Sequence, residues 1–90
     1  MTSLTGKVAL VTGASSGLGA SVAQLFAARG ATVFGIARDT ARMAAVFDSV
    51  PGGGFAAADV TSPQACNDAV AQCVERFGRL DVLVNAAGFH

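Results

Sequence analysis

The chain has 90 residues, of which 52% are hydrophobic and 13% are charged, and its formal net charge is zero. This length allows one domain at most, and the hydrophobic fraction excludes a disordered chain. The six basic residues are scattered along the sequence, so neither net charge nor a basic patch indicates a nucleic-acid-binding protein.

Neither a metal-binding protein, nor a membrane-spanning protein, nor a secreted protein is indicated. Cys66 and Cys73 lie too far apart on one predicted helix to form a disulfide bond, and no second pair of ligands at zinc spacing accompanies them, so no metal site is predicted. The uncharged run 8–28 is interrupted by glycine, serine and glutamine, which argues against a membrane span. No leader pattern is visible before residue 7, so we expect a cytoplasmic protein.

The hydrophobic pattern predicts four strands that alternate with three helices. Apolar runs predict strands at 7–12, 31–37, 55–59 and 81–85, and the run at 7–12 is typical of a strand buried on both faces of a parallel sheet. The segments between them have helical periodicity. The side chains predicted to be buried are Leu18, Val22, Leu25 and Phe26 in the first helix, Met43, Val46, Phe47 and Val50 in the second, and Cys66, Val70, Cys73, Val74 and Phe77 in the third.

Residues at the ends of these segments predict where the helices begin and end. Gly30 and Gly78 are expected to end the first and third helices, and Asp39 or Thr40 to cap the second. For the third helix, Thr61 and Gln64 fit a capping box, with Pro63 in the first turn.

The order of the predicted elements determines the fold class. Strands recur about every 25 residues, which is the period of β-α-β units. Right-handed crossovers place the first two helices on one face of the sheet and the third on the other. We therefore predict an α/β fold, a Rossmann-type doubly wound parallel sheet with the element order β-α-β-α-β-α-β and strand order 3-2-1-4. Ligands of such sheets bind outside the carboxyl ends of strands 1 and 4, where residues 13–19 and 85–88 would meet.

The turn after the first strand has the composition of a phosphate-binding loop. Its glycines, Gly13, Gly17 and Gly19, allow positive φ and close approach of a ligand, and the helix that follows offers unpaired N–H groups. The alternative is a glycine-rich turn that binds nothing. Because no Gly-Lys-Ser/Thr follows, a nucleoside-triphosphate loop is not indicated.

Preceded by Thr12, this turn reads Thr-Gly-x-x-x-Gly-x-Gly and resembles the cofactor motif of the short-chain dehydrogenase/reductase family. Asp59-Val60 is similar to that family's Asp-Val pair, and 85–88 to its Asn-Asn-Ala-Gly motif, in which Ala86 replaces the second asparagine. The resemblance implies that the turn holds the pyrophosphate of NAD(H) or NADP(H) and that Asp59 accepts a hydrogen bond from the adenine amino group. A carboxylate before Thr-Ser-Pro is also typical of turn chemistry alone, and this alternative for Asp59 remains open. The candidate cofactor-binding residues are Gly13, Ser15, Ser16, Gly17, Leu18, Gly19, Arg38, Asp59, Val60, Asn85, Ala86, Ala87 and Gly88.

The end of the second strand is the segment where a dinucleotide fold selects between ribose hydroxyls and a 2′-phosphate. By resemblance, Ala37 stands where NAD-selecting members carry an acid, and Arg38 where NADP-preferring members often carry arginine. We therefore expect NADP(H) to be preferred, with NAD(H) as the other candidate. Two alternatives remain open: Asp39 holds the ribose, or Arg38 is a solvated strand end.

The family resemblance implies an NAD(P)(H)-dependent oxidoreductase that transfers hydride between nicotinamide and a small-molecule alcohol or carbonyl substrate, and a homo-oligomer when full length. The family's catalytic serine and Tyr-x-x-x-Lys motif follow the fourth strand, and the 90 residues contain no tyrosine. We therefore predict that residues 1–90 form the N-terminal, cofactor-binding part of a single domain without catalytic residues. The alternative is a non-catalytic dinucleotide-binding or interaction module that assembles with another chain.

Overall fold

The structure is a computed structural model that describes residues 3–15 and 17–86. The predicted alternation of strands and helices is confirmed. In chain order the elements are β1 (Val8–Thr12), α1 (Gly17–Ala28), β2 (Thr32–Ala37), α2 (Thr40–Phe47), β3 (Gly54–Ala57), α3 (Pro63–Phe77) and β4 (Val82–Asn85).

The four strands form one parallel sheet in the predicted order, β3-β2-β1-β4. All five residues of β1 are buried, as expected for a central strand that is covered on both faces. The register places Thr12, the last residue of β1, beside Ile36 of β2 and Asn85 of β4. The carboxyl ends of these three strands therefore lie side by side.

Two hydrophobic clusters lie on opposite faces of the sheet, because successive strand residues point to opposite sides. One cluster joins Val11 and Val33 of the sheet to Ala23 of α1 and to Val50, which follows α2. The other surrounds Cys73 of α3 and includes strand and helix residues on the opposite face. The prediction that α1 and α2 share one face and α3 covers the other is confirmed.

Three of the side chains predicted to be buried are exposed, so the predicted helix faces were partly wrong. Leu18, Leu25 and Val74 are 51%, 49% and 43% exposed. The residues that α1 buries are small: Gly19 lies against the β1–α1 turn, and Ala23 lies in the cluster with Val11 and Val33. Small residues allow close approach of a helix to its neighbours, which moves the large side chains on either side of the contact outward.

Helix α3 follows the same principle. Its fully buried positions are Ala69 and Cys73, and burial raises the pKa of the Cys73 thiol. Cys66, Val70 and Phe77 pack against this cluster, as predicted. Both cysteines are free thiols.

The N-terminus of α2 and the C-terminus of α3 were predicted correctly, whereas α2 ends at Phe47, before Val50, which was predicted to lie in this helix. Asp39 caps α2, with its Oδ1 accepting a hydrogen bond from the Arg42 backbone N–H at 3.0 Å. Gly78 ends α3 with φ of 82°. Gly30 also has positive φ, 98°, two residues beyond the end of α1.

The predicted capping box of α3 is wrong. Ser62 is the N-cap, and its hydroxyl oxygen accepts from the Ala65 backbone N–H at 3.2 Å. The Thr61 hydroxyl instead donates to Asp59 at 2.6 Å, and the Gln64 amide donates to Asp68. Adjacent hydroxyl residues compete for the cap, and here the carboxylate of the preceding turn binds Thr61.

Within residues 3–15 and 17–86, no helix combines the length and apolar character that crossing a bilayer requires. Among the same residues, no cluster of three or more His, Cys, Asp or Glu side chains could hold a metal ion.

Candidate functional site

The three glycines of the β1–α1 turn have different structural roles. Gly13 and Gly17 adopt positive φ angles of 67° and 58°. A Cβ atom at Gly17 would meet open space, so Gly17 is favoured by its backbone conformation alone. A Cβ atom at Gly19 would overlap the carbonyl oxygen of Gly13, so this position is open only to glycine. The N-terminus of α1 therefore packs directly against the start of the turn.

The core of the protein holds this turn in place. The Gly13 N–H donates to the Ile36 carbonyl at 2.8 Å, which ties the turn to the end of β2. Ala14 is fully buried. It packs close to Gly35, where an added Cβ would lie 2.9 Å from the Ala14 methyl group. These contacts within the protein hold Gly13 and Ala14, at the start of the turn, against β2.

The N-terminus of α1, beside this turn, presents backbone hydrogen-bond donors to solvent. Gly17 and Leu18, in the first turn of α1, are exposed. The first N–H groups of a helix have no acceptor within the helix, and the dipole makes this end positive. Such a helix end can bind an anion, and the exposed glycine beside it lets a phosphate group approach the backbone.

Thr12 and Asn85 join the ends of β1 and β4. The Thr12 hydroxyl donates to Asn85 Oδ1 at 2.8 Å and also lies 3.4 Å from the Val84 carbonyl oxygen. Thr12 and Ala86 are buried, with 6% and 5% of their surfaces exposed. This contact orients the Asn85 side chain beside the glycine turn. In the sequence, Thr12 was identified only as part of the Thr-Gly-x-x-x-Gly-x-Gly motif, and its role in positioning Asn85 was missed. The available signal was that Thr12 and Asn85 each end a predicted strand.

The Asp59 carboxylate accepts hydrogen bonds on both oxygen atoms. Its Oδ1 accepts from the Thr61 backbone N–H at 2.9 Å and from the Thr61 hydroxyl at 2.6 Å. Its Oδ2 lies 2.9 Å from Arg38 Nη2. The Thr61 hydrogen bonds, followed by the one from Arg38, lower the pKa of Asp59 to about 2. Asp59 is therefore an anion at neutral pH.

The ion pair between Arg38 and Asp59 connects the ends of β2 and β3. The Ala58 N–H donates to the Ala37 carbonyl at 3.1 Å, so the backbones on which these two side chains stand are themselves paired. The Arg38 and Asp59 side chains are 72% and 44% exposed. Solvent therefore screens their attraction, and both remain accessible to a ligand.

A groove of about 210 Å³ lies beside Thr12 and Asn85 on the face of the sheet that carries α3. Its lining residues are Leu10, Thr12, Ile36, Val60, Cys66, Asn67, Val70, Leu83 and Asn85. Apolar side chains form most of the wall, and three polar side chains supply hydrogen-bonding groups. A larger depression of about 390 Å³, lined in part by Phe55, Gln72 and Arg76, contains none of the predicted site residues.

The structure places the predicted site residues that it describes along one edge of the sheet. Gly13, Ser15, Gly17, Leu18, Gly19, Asn85 and Ala86 lie at or next to the carboxyl ends of β1 and β4, and Arg38, Asp59 and Val60 follow β2 and β3. Ser16, Ala87 and Gly88 lie outside the described residues. The Arg38–Asp59 ion pair was missed by sequence reasoning, which assigned each residue separately to a ligand.

Comparison with known proteins gives a consistent result. The family model described as short chain dehydrogenase matches residues 7–90. L-fucose dehydrogenase from Bos taurus is 42% identical over 85 residues, which cover 94% of this chain and 32% of that protein. The chain thus spans about a third of the length of the curated relatives it matches.

Solved structures share the fold. The 3-ketoacyl-(acyl-carrier-protein) reductase from Brucella melitensis, complexed with NADH, superposes with a TM-score of 0.83 at 39% identity, covering 90% of this chain and 34% of that one. A variant of actinorhodin polyketide ketoreductase with NADPH gives a TM-score of 0.78 at 36% identity, covering 88% of this chain and 32% of that one. The solved structures similar to this chain therefore include one with NADH and one with NADPH.

Proposed function

The chain belongs to the short-chain dehydrogenase family, and we propose that it forms the NADP(H)-binding part of an oxidoreductase acting on an alcohol or carbonyl compound. The observation that carries the proposal is the set of three glycines, Gly13, Gly17 and Gly19, between β1 and the first turn of α1. Gly19 lets the N-terminus of α1 pack against Gly13, and Gly17 leaves that helix end open to solvent. A pyrophosphate is the anion that best fits a row of backbone N–H groups at such a turn.

The residues of the described site fit the parts of a dinucleotide. The turn 13–19 would bind the pyrophosphate, Asp59 and Val60 would contact the adenine, and Asn85 and Ala86 would line the path toward the nicotinamide. When bound, the nicotinamide would supply the carbon that donates or accepts hydride. The protein's part is to bind and orient this group, and Thr12 holds Asn85 in place for it.

Arg38 supports the preference for NADP(H). Its guanidinium group is 72% exposed at the end of β2, and it can donate two hydrogen bonds to a 2′-phosphate. Asp39, the alternative partner for the ribose, is used as the cap of α2 through the Arg42 N–H. At an exposed site we expect Arg38 to give a preference of about tenfold to a hundredfold, less than two unscreened charge-assisted bonds would give.

Binding of each dinucleotide to the chain in its natural full-length form tests this cofactor preference. In calorimetric titrations, Arg38→Ala should lower the affinity for NADPH by about tenfold or more, while the affinity for NADH should change by less than about twofold. Arg42→Ala is the matched control, because it removes the same charge four residues away. We expect this variant to keep the preference for NADPH. Equal affinity for NADPH and NADH, before and after Arg38→Ala, would show that Arg38 is only a solvated strand end.

Turnover tests the oxidoreductase activity. The full-length form should consume NADPH in the presence of a carbonyl substrate, and Gly13→Val should abolish this consumption because valine cannot readily adopt φ of 67°. The 90 residues alone, which contain no tyrosine, should show no turnover. A full-length form that binds the dinucleotide but has no Tyr-x-x-x-Lys motif would favour the non-catalytic module.

Two further properties are proposed, the first on the family resemblance and the second because the free thiols Cys66 and Cys73 favour a reducing compartment. The full-length form would be a homo-oligomer, and it would act in the cytoplasm. Light scattering of the purified full-length form tests the first, and fractionation of the source cells tests the second. A monomeric mass or recovery in another compartment would contradict the respective proposal.

A further inference from the structure

Two groups that the proposed function assigns to one cofactor are bound to each other in this structure. Arg38 Nη2 lies 2.9 Å from Asp59 Oδ2. Arg38 is the proposed partner of the 2′-phosphate, and Asp59 is the proposed acceptor for the adenine amino group. A ligand that carries a 2′-phosphate therefore meets an arginine that already has an anionic partner.

The position of the Asp59 carboxylate is set from its other side. Both the backbone N–H and the hydroxyl of Thr61 donate to Oδ1, so Oδ2 is left facing the end of β2. The backbones below the pair are aligned as well, since Ala37 of β2 pairs with Ala57 of β3. The ion pair is thus formed by a carboxylate held by its own turn and by a flexible arginine that reaches to it.

From this arrangement we infer that Asp59 limits the preference for NADP(H) by competing with the 2′-phosphate for the Arg38 guanidinium group. The inference rests on the proposed function and adds a second specificity-determining residue to it. Binding of a 2′-phosphate exchanges one anionic partner of Arg38 for another, and the displaced Asp59 carboxylate stays nearby. Binding of NADH requires no such exchange. Asp59 thereby acts on cofactor choice through Arg38, as a positioning residue.

Asp59→Asn tests this competition with little change in shape. The asparagine Oδ1 can still accept both hydrogen bonds from Thr61, but its NH₂ group can accept neither from Arg38 nor from adenine. The adenine hydrogen bond is common to NADPH and NADH, so its loss cancels in the ratio of their affinities. We expect the ratio of NADPH affinity to NADH affinity to rise by about twofold to fivefold, the range that exposed ion pairs allow. A ratio that stays the same or falls would overturn the inference.

Two comparisons separate this effect from a general change in charge. Asp39→Asn removes the same charge from a neighbouring residue and keeps a good helix cap, so the ratio should change by clearly less than with Asp59→Asn. In an Arg38→Ala background, Asp59→Asn should lose at least half of its effect. An equal effect of Asp59→Asn in both backgrounds, or an equal effect of Asp39→Asn, would show simple repulsion of the phosphate and overturn the inference.

A measurement on the unsubstituted full-length form does not depend on how the variants fold. Adenosine 2′-phosphate should shift the NMR signals of the Arg38 Nε–H group and of the Asp59 carboxyl carbon together, whereas adenosine 5′-phosphate should shift the Arg38 signal much less. A shift of Arg38 without any change at Asp59 would overturn the competition and leave the proposed function standing. If Arg38→Ala leaves the ratio unchanged, the proposed role of Arg38 fails first, and the competition fails with it.

Discussion

Gly19 of α1 lies so close to Gly13 of the β1–α1 turn that a methyl group at Gly19 would overlap the Gly13 carbonyl oxygen. This contact fixes the N-terminus of α1 relative to the end of β1. Since Gly13 itself is hydrogen-bonded to Ile36 of β2, these contacts connect the start of the turn, the helix and the two strands β1 and β2 into one unit. The arrangement of N–H groups that we assign to a pyrophosphate depends on this unit.

Gly19→Ala should therefore damage both the fold and the proposed binding site. The added methyl group forces α1 away from the turn, and overpacking of this kind typically costs about 1–3 kcal/mol. We expect a lower midpoint of thermal unfolding and at least about tenfold weaker binding of NADPH. Differential scanning calorimetry and fluorescence titration measure the two effects.

Gly17→Asn is the contrasting variant for this prediction. Gly17 has φ of 58° but open space around its Cβ position, and asparagine tolerates positive φ better than most residues. The unfolding midpoint should fall less than with Gly19→Ala. A Gly19→Ala protein with unchanged stability and NADPH affinity would show that the close contact is not required.

The N-terminus of α3 provides a test of helix capping. Ser62→Ala removes the hydroxyl that accepts from the Ala65 N–H, and loss of such a cap costs about 1 kcal/mol. Gln64→Ala is the control, because Gln64 binds Asp68 and not the cap. Urea unfolding should therefore show a clear loss of stability for Ser62→Ala and little loss for Gln64→Ala. The reverse result would restore the capping box that the sequence suggested.

Asp81 makes the stability of the sheet depend on pH. Its carboxylate accepts two hydrogen bonds from Arg79, at 2.7 and 2.8 Å, and one from the Val8 N–H at 2.8 Å, which joins the start of β4 to β1. The Arg79 hydrogen bonds, followed by that from Val8, lower the pKa of Asp81. A lowered pKa in the folded state stabilises the fold above the ordinary aspartate pKa of about 3.9, and this contribution is lost as the pH falls through the folded-state pKa.

Asp81→Asn should accordingly lower the unfolding midpoint at pH 7, and the difference from the unsubstituted protein should shrink below about pH 4. Asp68→Asn, whose partner Gln64 is uncharged, should show a much smaller difference at pH 7. Thermal unfolding followed by circular dichroism between pH 2 and pH 7 measures both. A difference for Asp81→Asn that stays constant over this range would contradict the role of the ionised carboxylate.

Strand order and helix placement were predictable because they follow from patterns that the sequence contains in full. Apolar runs such as Val8–Thr12 recur with the period of β-α-β units, and the handedness of the crossovers then leaves one simple arrangement. The glycine turn was predictable for a similar reason, since Gly13 and Gly17 mark backbone conformations that other residues avoid. These features depend on local chemistry and on general rules of topology.

Features that depend on close packing or on distant contacts were not predictable in this way. Hydrophobic periodicity selected Leu18 and Leu25 as buried, whereas the contact of α1 uses the small residues Gly19 and Ala23. Likewise, a carboxylate before Thr-Ser-Pro suggests turn chemistry, but the sequence does not show that Asp59 binds Thr61 and leaves the cap to Ser62.

Prediction of the Arg38–Asp59 ion pair would require knowledge of a specific strand register. Each residue follows a different strand, and the pairing of Ala37 with Ala57 brings the two strand ends together. Sequence reasoning assigned each side chain to a separate part of a ligand, which hid the contact between them. The register between distant segments is a property of the folded sheet, and it decides which surface charges become neighbours.

The most direct test of the account is to observe where a dinucleotide binds. In ¹⁵N–¹H NMR spectra of the full-length form, saturating NADPH should shift the backbone amides of residues 13–19 most, followed by those of Arg38, Asp59 and Val60. Gly13→Val should remove these shifts. Saturable binding that leaves residues 13–19 unchanged, or that instead shifts the amides around Phe55 and Gln72, would contradict the assignment of the glycine turn as the pyrophosphate site.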